Sequence, residues 1–566
     1  MYRTLKMVAV LVLTGGTTAL AVPATGASTP TMGADASQSV PSPTPGFVII
    51  AAASYGSTDA AGINDSGVIA GTFTAGFDNG HGYLRDPAGG VTFFDVPDSV
   101  FTTVTGINDS GAVTGRYART LGENHLFIRH KGGSFTTFDV DGESYPSGIN
   151  VSGVVAGTVR DGTGKMHGFI RDRAGVTTVI DAPGAASTGI SGINDSGTIV
   201  GNFGDASGDT HSFLRAPTGV FTTIDNPAGL STFARGISNA GSITGSFHDG
   251  IAYRGFLRSP AGVFTTFDVP GATSTGGYAI NDSGSIVGSF GDNESVSHAF
   301  ATVASVALGD SYSAGQGAGS YLPDTNTAGN HCQRSPLTWP DRLRGARLPE
   351  PYELHACSGA MVSDLSEPNH AYRGEPVPQL DWLTPMTQTV TITIGAADAR
   401  LAQVMGSCSA RLTVHATCRT LGNTEIENGI TALDTPGGPV SLTDAFAAIH
   451  RRAPNAKLVV MGYPRFFPKV PPASCPTGIA GADDYTADDM LWANQKIAHL
   501  NRAIRDAAGT VTGAVYVNVY GALDGHELCT AQPHLRPANA SHPVDGFHPN
   551  ADGYQDEALI ASAVLR

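Results

Sequence analysis

Two short segments carry side chains suited to chemistry, and they stand near the two ends of residues 305–566. The first is Gly309-Asp310-Ser311-Tyr312-Ser313. It follows an apolar run, Ala304 to Leu308, with the length of a buried strand, and precedes a small Gly-rich segment that can enter a helix. A serine on a strand–turn–helix is held exposed beside helix N-terminal amides, which suits a nucleophile whose attack creates an oxyanion. The second is Asp545-Gly-Phe-His548-Pro549. An Asp three residues ahead of a His in a Gly/Pro-bounded loop can fold back on the imidazole. There it fixes the tautomer and steadies the imidazolium formed as Ser311 gives up its proton. Each segment alone has a plainer explanation, an N-capped turn and a polar loop. Together they supply nucleophile, base and orienting acid.

The elements that must position these groups alternate between strand and helix. Val390–Ile394, Lys457–Met461 and Ala514–Val519 read as buried parallel strands, and Ser441–Arg452 and Asp483–Ala507 as amphipathic helices. Gln555–Leu565 reads as a terminal helix. Such alternation predicts a flavodoxin-like α/β/α sandwich, with its site at the carboxyl ends of the strands. Tyr463-Pro-Arg-Phe-Phe-Pro468 follows a strand and suits either an apolar acyl pocket or a packed loop.

Residues 46–304 are built differently. Gly62-Ile-Asn-Asp-Ser-Gly67 recurs from Gly106, Gly148 and Gly192, and in looser form from Gly236 and Ala279, at intervals of 44, 42, 44, 44 and 43 residues. That is the size of a four-stranded propeller blade. Each repeat divides into four short strands separated by Gly, Asn, Asp or Pro. The region opens on Gly46-Phe-Val-Ile-Ile50, in the place of a fourth strand, and stops after a third strand at His298 to Val303. Its first strand can therefore complete its last blade. An all-β six-bladed propeller is expected, with an open β-solenoid as the alternative. The His or Arg that recurs in the third strand is expected to be structural. The Asn-x-Ser triplets match a glycosylation sequon, but their place in tight hairpin turns explains them without sugar.

A chain of 566 residues with so many glycines points to several domains of strand-and-turn architecture. The formal net charge of -16 argues against nucleic acid or an anionic membrane surface as partner. Arg3, Lys6, the apolar run Met7–Leu13 and Ala19-Leu-Ala21 have the layout of a signal peptide, so residues 1–21 are expected to direct secretion. Residues 22–45 read as a disordered linker. No segment reaches membrane-spanning length. The six cysteines, Cys332, Cys357, Cys408, Cys418, Cys475 and Cys529, suggest three disulfides, among fifteen possible pairings. Their spacing lacks close Cys/His pairs, so neither a metal nor a cofactor is expected.

On these motifs residues 305–566 resemble the SGNH hydrolase (GDSL esterase/lipase) family, in particular its secreted actinobacterial lipase-like branch. Besides the Ser311 block and Asp545-x-x-His548, the resemblance rests on Ala356-Cys-Ser-Gly359-Ala360, Cys332-Gln-Arg-Ser335 and Trp339-Pro. It implies Ser311, His548 and Asp545 as catalytic residues, the N–H groups of Ser311 and Gly359 as an oxyanion hole, and disulfides Cys332–Cys357, Cys408–Cys418 and Cys475–Cys529. One block departs. The family's Gly-Gly-Asn-Asp, whose Asn donates to the oxyanion, stands here as Gly395-Ala396-Ala397-Asp398, and a methyl group donates nothing. The repeats of the N-terminal half resemble the HAF-type extracellular repeat family. The expectation is a secreted ester hydrolase, attenuated at Ala397, acting on lipid esters or acylated carbohydrates. The alternative is a propeller-based glycan or cell-wall binding protein with a weak or inactive hydrolase domain.

Overall fold

The computed structural model describes Thr44 and residues 46–565, apart from 53–55, 76–79, 121, 295, 369–376, 402–403, 406–414, 477–483 and 539–544. The expected signal peptide and, but for Thr44, the linker lie outside the described residues.

Six four-stranded antiparallel sheets occupy the repeat region, five of them meanders of consecutive strands and the last completed by the first strand of the region. The repeated sequence explains the blade. Gly71 on the second strand pairs in register with Tyr83 on the third. A Cβ there would lie 2.8 Å from the Tyr83 ring and still closer to the Asp59 carbonyl. Glycine is what lets the aromatic lie flat across the sheet. The equivalent rings of Phe127, Phe169, Phe213, Phe256 and Phe300 are just as buried.

The Asn of five of the six turns is a staple between neighbouring blades, with Ser238 in its place in the fifth. Asn108 Nδ2 donates to Asn150 O at 2.7 Å while its Oδ1 accepts from Ala112 N–H at 2.9 Å. The Asn series runs from Asn64 to Ser238 O, a bond from Asn239 N–H to Asp282 Oδ1 bridges the next pair of blades, and Asn281 Nδ2 closes the ring on Asn64 O at 3.1 Å. These side chains are buried and fully used, so the triplets are structural. The recurring His side chains bond within their own blades, not between them: His81 meets Asp95 at 2.8 Å and His211 meets Asp225 at 2.7 Å. Phe47–Ile50 pairs antiparallel with Ser297–Thr302 as the outer strand of the last blade. The expected closure holds, and the ring has no open edge.

The last blade runs almost directly into the second fold, through the buried Val303 and Ala304. Here the strands are β1 (Ser305–Gly309), β2 (Tyr352–Leu354), β3 (Thr389–Thr393), β4 (Lys457–Met461) and β5 (Val515–Val517). They form one sheet in the order β2-β1-β3-β4-β5, every pair parallel. The helices are α1 (Ser311–Ala314), α2 (His415–Asp434), α3 (Leu442–Arg452), α4 (Ala487–Ala508) and α5 (Ala551–Val564). Alternate strand residues face two cores. Val306, Leu308, Val390, Ile392, Leu458 and Val460 share one with helices such as α4, and Ala307, Val459, Met461 and Val517 share the other with α5. This is the doubly wound sandwich expected, and its strand order reverses beside β1, where such sheets place their sites. Helix α2 was not expected.

The two folds are joined by more than the chain. Ser285 Oγ donates to Glu350 O at 2.8 Å and Ala304 N–H to Pro351 O at 2.8 Å. Met386 packs among Phe47, Phe267 and Ile280 of the last blade.

Candidate active site

Strand β1 ends at Gly309 with φ of +119°, and a Cβ there would stand 2.2 Å from the Thr393 carbonyl oxygen. Only glycine makes the turn that close to β3. The side chain of Gln379 clamps it: Gly309 N–H donates to Oε1 at 2.7 Å, and Nε2 donates to Gly309 O at 3.0 Å. Asp310 caps α1, its Oδ1 accepting from Tyr312 N–H at 3.0 Å. Its Oδ2 accepts from the Tyr463 hydroxyl at 2.5 Å. Burial pushes the Asp310 carboxyl up to about 7, against the pull of that hydrogen bond. Ser311 then opens the helix, its N–H without a hydrogen-bond partner among the described residues.

The base arrives from the loop before α5. His548 Nε2 lies 2.7 Å from Ser311 Oγ. Its Nδ1 lies 3.0 Å from Gly546 O. A carbonyl can only accept, so Nδ1 carries the proton and Nε2 presents its lone pair to the serine. Burial pushes the imidazole down to about 4, with the Asp545 charge opposing. The ring is therefore neutral at neutral pH.

Asp545 is not the group at Nδ1. Its Oδ1 accepts from the Tyr321 hydroxyl at 3.3 Å, while its backbone carbonyl takes the His548 N–H at 3.1 Å. The expected contact gives way to the backbone because the loop is held in another shape. Phe547 has φ of +67°, its carbonyl accepts from the buried Tyr312 hydroxyl at 2.5 Å, and its ring stacks on Phe466 at 5.0 Å. That contact decides the role of Tyr463–Pro468: Tyr463, Phe466 and Phe467 are buried supports.

The Gly359 loop is anchored by the disulfide Cys332–Cys357, with Cα atoms 4.1 Å apart. Gly359 has φ of +71°, is exposed, and among the described residues its N–H makes no hydrogen bond. A second tie is Asp398, whose carboxylate accepts from Val362 N–H at 3.1 and 3.3 Å. Burial pushes Asp398 up to about 7. Ala397, between this anchor and the Ala396 N–H that donates to Tyr463 at 3.0 Å, offers no side-chain donor. Cys475–Cys529 forms as expected, whereas Cys408 and the side chain of Cys418 lie outside the described residues. Among the described residues no group of three or more His, Cys, Asp or Glu side chains is arranged to hold a metal ion, and no helix is long and apolar enough to cross a membrane.

Sequence reasoning missed Gln379, Tyr312 and the Gly546 carbonyl. A backbone carbonyl leaves no trace in residue type, and Gln379 is 70 positions from the glycine it clamps.

The GDSL-like lipase/acylhydrolase family model matches residues 307–555. Over 248 residues the chain is 32% identical to Lipase 1 of Streptomyces coelicolor, covering 44% of this chain and 81% of that protein. The chain belongs to this family. To Lipase 2 of the same organism it is 33% identical over 279 residues, 48% of this chain and 88% of that protein. The solved extracellular lipase of Streptomyces rimosus is 28% identical, covering 46% of this chain and all of its own, with a TM-score of 0.38. Membership of the GDSL-like family places the protein among the carboxylic ester hydrolases.

Proposed function

We propose that the protein is a secreted serine esterase, with lipid esters or acylated carbohydrates as substrates. The observation that carries this reading is the 2.7 Å contact between Ser311 Oγ and the Nε2 of a neutral His548. Ser311 attacks the ester carbonyl as His548 takes its proton, and the imidazolium returns that proton to the leaving alcohol. Water repeats the sequence to free the acid. The Gly546 carbonyl holds the imidazole by its Nδ1–H, and Asp545 assists by its charge. The N–H groups of Ser311 and Gly359 receive the oxyanion. With Ala397 in place of a side-chain donor, turnover is expected below that of an enzyme with three donors, by up to about 10²–10³-fold. The lipase names of the relatives and the signal-like N-terminus support an extracellular acyl ester substrate.

The test is hydrolysis of p-nitrophenyl butyrate by the purified protein and by Ser311→Ala. Loss of turnover in the variant supports the reading, and equal rates overturn it. The same equality would favour the binding-protein reading, whose motive is the donor missing at Ala397.

A further inference from the structure

The propeller carries its own comparison, because six copies of one scaffold stand side by side. The residues that build it barely change, as the glycines paired with aromatic rings show. The residues at another register position of the two inner strands do change. Where blade 1 has Asp59 paired with Thr72, the later blades have Thr103 with Arg116, Tyr145 with Thr158, Gly189 with Asn202, Phe233 with Ser246 and Gly276 with Ser289.

The second member of these pairs has a structural task in three blades. Thr72 Oγ1 accepts the N–H of Val104 at 3.0 Å, Thr158 Oγ1 that of Ile190 at 3.1 Å, and Asn202 Oδ1 that of Ala234 at 3.1 Å. Each bond ties one blade to the next. Blade 2 breaks the pattern at both ends. Its residue is Arg116, which cannot accept, and the facing residue of blade 3 is Pro146, which has no N–H to give. Arg116 lies instead over the Tyr145 ring, 5.2 Å from its centroid. In the same way Arg235 lies over Tyr278 at 5.5 Å. Among the described residues neither guanidinium makes an ion pair or hydrogen bond. Asp59 feels the charge of Arg235 without pairing with it.

These five side chains line one cavity of about 550 Å³, with serine and threonine hydroxyls between them. Ser57 and Thr58, at the start of the first inner strand, belong to its lining, whereas Ser285, which bonds Glu350 of the other fold, lies beyond the turn that ends the last inner strand.

We propose that this cavity of the propeller is a binding site for a ligand carrying an oxyanion on a hydroxylated frame, its carboxylate or phosphate seated by Arg116 and Arg235. Flat guanidiniums, stacked and still owning every N–H, match the planar oxygens of such a group. The hydroxyls and Asp59 take the ligand's own hydroxyl groups. Asp59 also disfavours a second negative charge at its side of the cavity.

The test is calorimetric titration of the full chain at low salt with D-glucuronate, inorganic phosphate and D-glucose, repeated on Arg116→Gln, Arg235→Gln and the double variant. Saturable binding of either anion is expected, with glucose silent. Each single variant should weaken binding about tenfold or more, and the double variant should abolish it. Glucuronate binding alone assigns a sugar acid, and phosphate binding alone a phosphorylated ligand. Thermal unfolding should match wild type in all variants, which keeps loss of binding separate from loss of fold. No saturable binding of either anion, binding undiminished in the double variant, or glucose binding equal to glucuronate would each overturn the proposal.

Discussion

Replacing Asp545 by Asn separates two ways of holding a catalytic histidine. If the carboxylate fixed the imidazole tautomer, its loss would cost about 10⁴ in kcat, as when a triad Asp becomes Asn. Here the Nδ1–H goes to Gly546 O at 3.0 Å, a bond the substitution leaves in place. What disappears is one negative charge that favours the imidazolium. Asp545 is partly exposed. Taking a separation on the order of 6 Å and an effective dielectric of about 20–80, Coulomb's law gives about 0.7–2.8 kcal/mol. That is roughly a threefold to hundredfold loss, well short of 10⁴. The assay is kcat and kcat/KM for p-nitrophenyl butyrate at low and high salt, since the charge of a half-exposed group is screened. The expected result is a loss below about a hundredfold that shrinks as salt rises. A salt-independent loss near 10⁴ would refute the reasoning and return the orienting role to the carboxylate.

Other consequences are as direct. Ala397→Asn should raise kcat, by at most about 10²–10³-fold, with KM little changed; no gain in an active enzyme would mean that the oxyanion already has its donors. Because burial pushes His548 down to about 4, activity lost by protonating the base should fall away well below the ordinary imidazole value. An acid limb of kcat/KM at or above pH 6.5 would contradict this. Glu557 is buried with both oxygens unpartnered, and burial holds its carboxyl well above the usual range. The native state therefore keeps a proton that the unfolded chain sheds above about pH 4.3, so stability falls as pH rises. Glu557→Gln removes that loss, and its Tm should exceed that of wild type by a margin that grows from pH 5 to pH 8; a constant margin speaks against it.

Much of the architecture is local, and so was legible. A repeat near 44 residues, a glycine facing each aromatic and an Asn in five of the six turns specify a blade without reference to distant contacts. Even ring closure followed from counting strands at the two ends. Strands β1, β3 and β4 were readable because a central parallel strand is apolar on both faces. Helix α2 was not, since its mixed composition leaves only a weak apolar stripe, and α4 packing on it is a tertiary fact.

The site divides along the same line. Residue type and spacing brought Ser311 and His548 forward, because chemistry restricts which side chains can serve as nucleophile and base. The family resemblance added Gly359 and, against its usual pattern, the donor missing at Ala397. What holds the histidine was decided by folding. An Asp three residues away satisfied the pattern, but the left-handed Phe547, pinned by Tyr312 and Phe466, turned a carbonyl toward Nδ1 instead. The two guanidiniums of the propeller are of the same kind. Arg116 and Arg235 are ordinary residues 119 positions apart in sequence, and only closure of the ring sets them in one cavity.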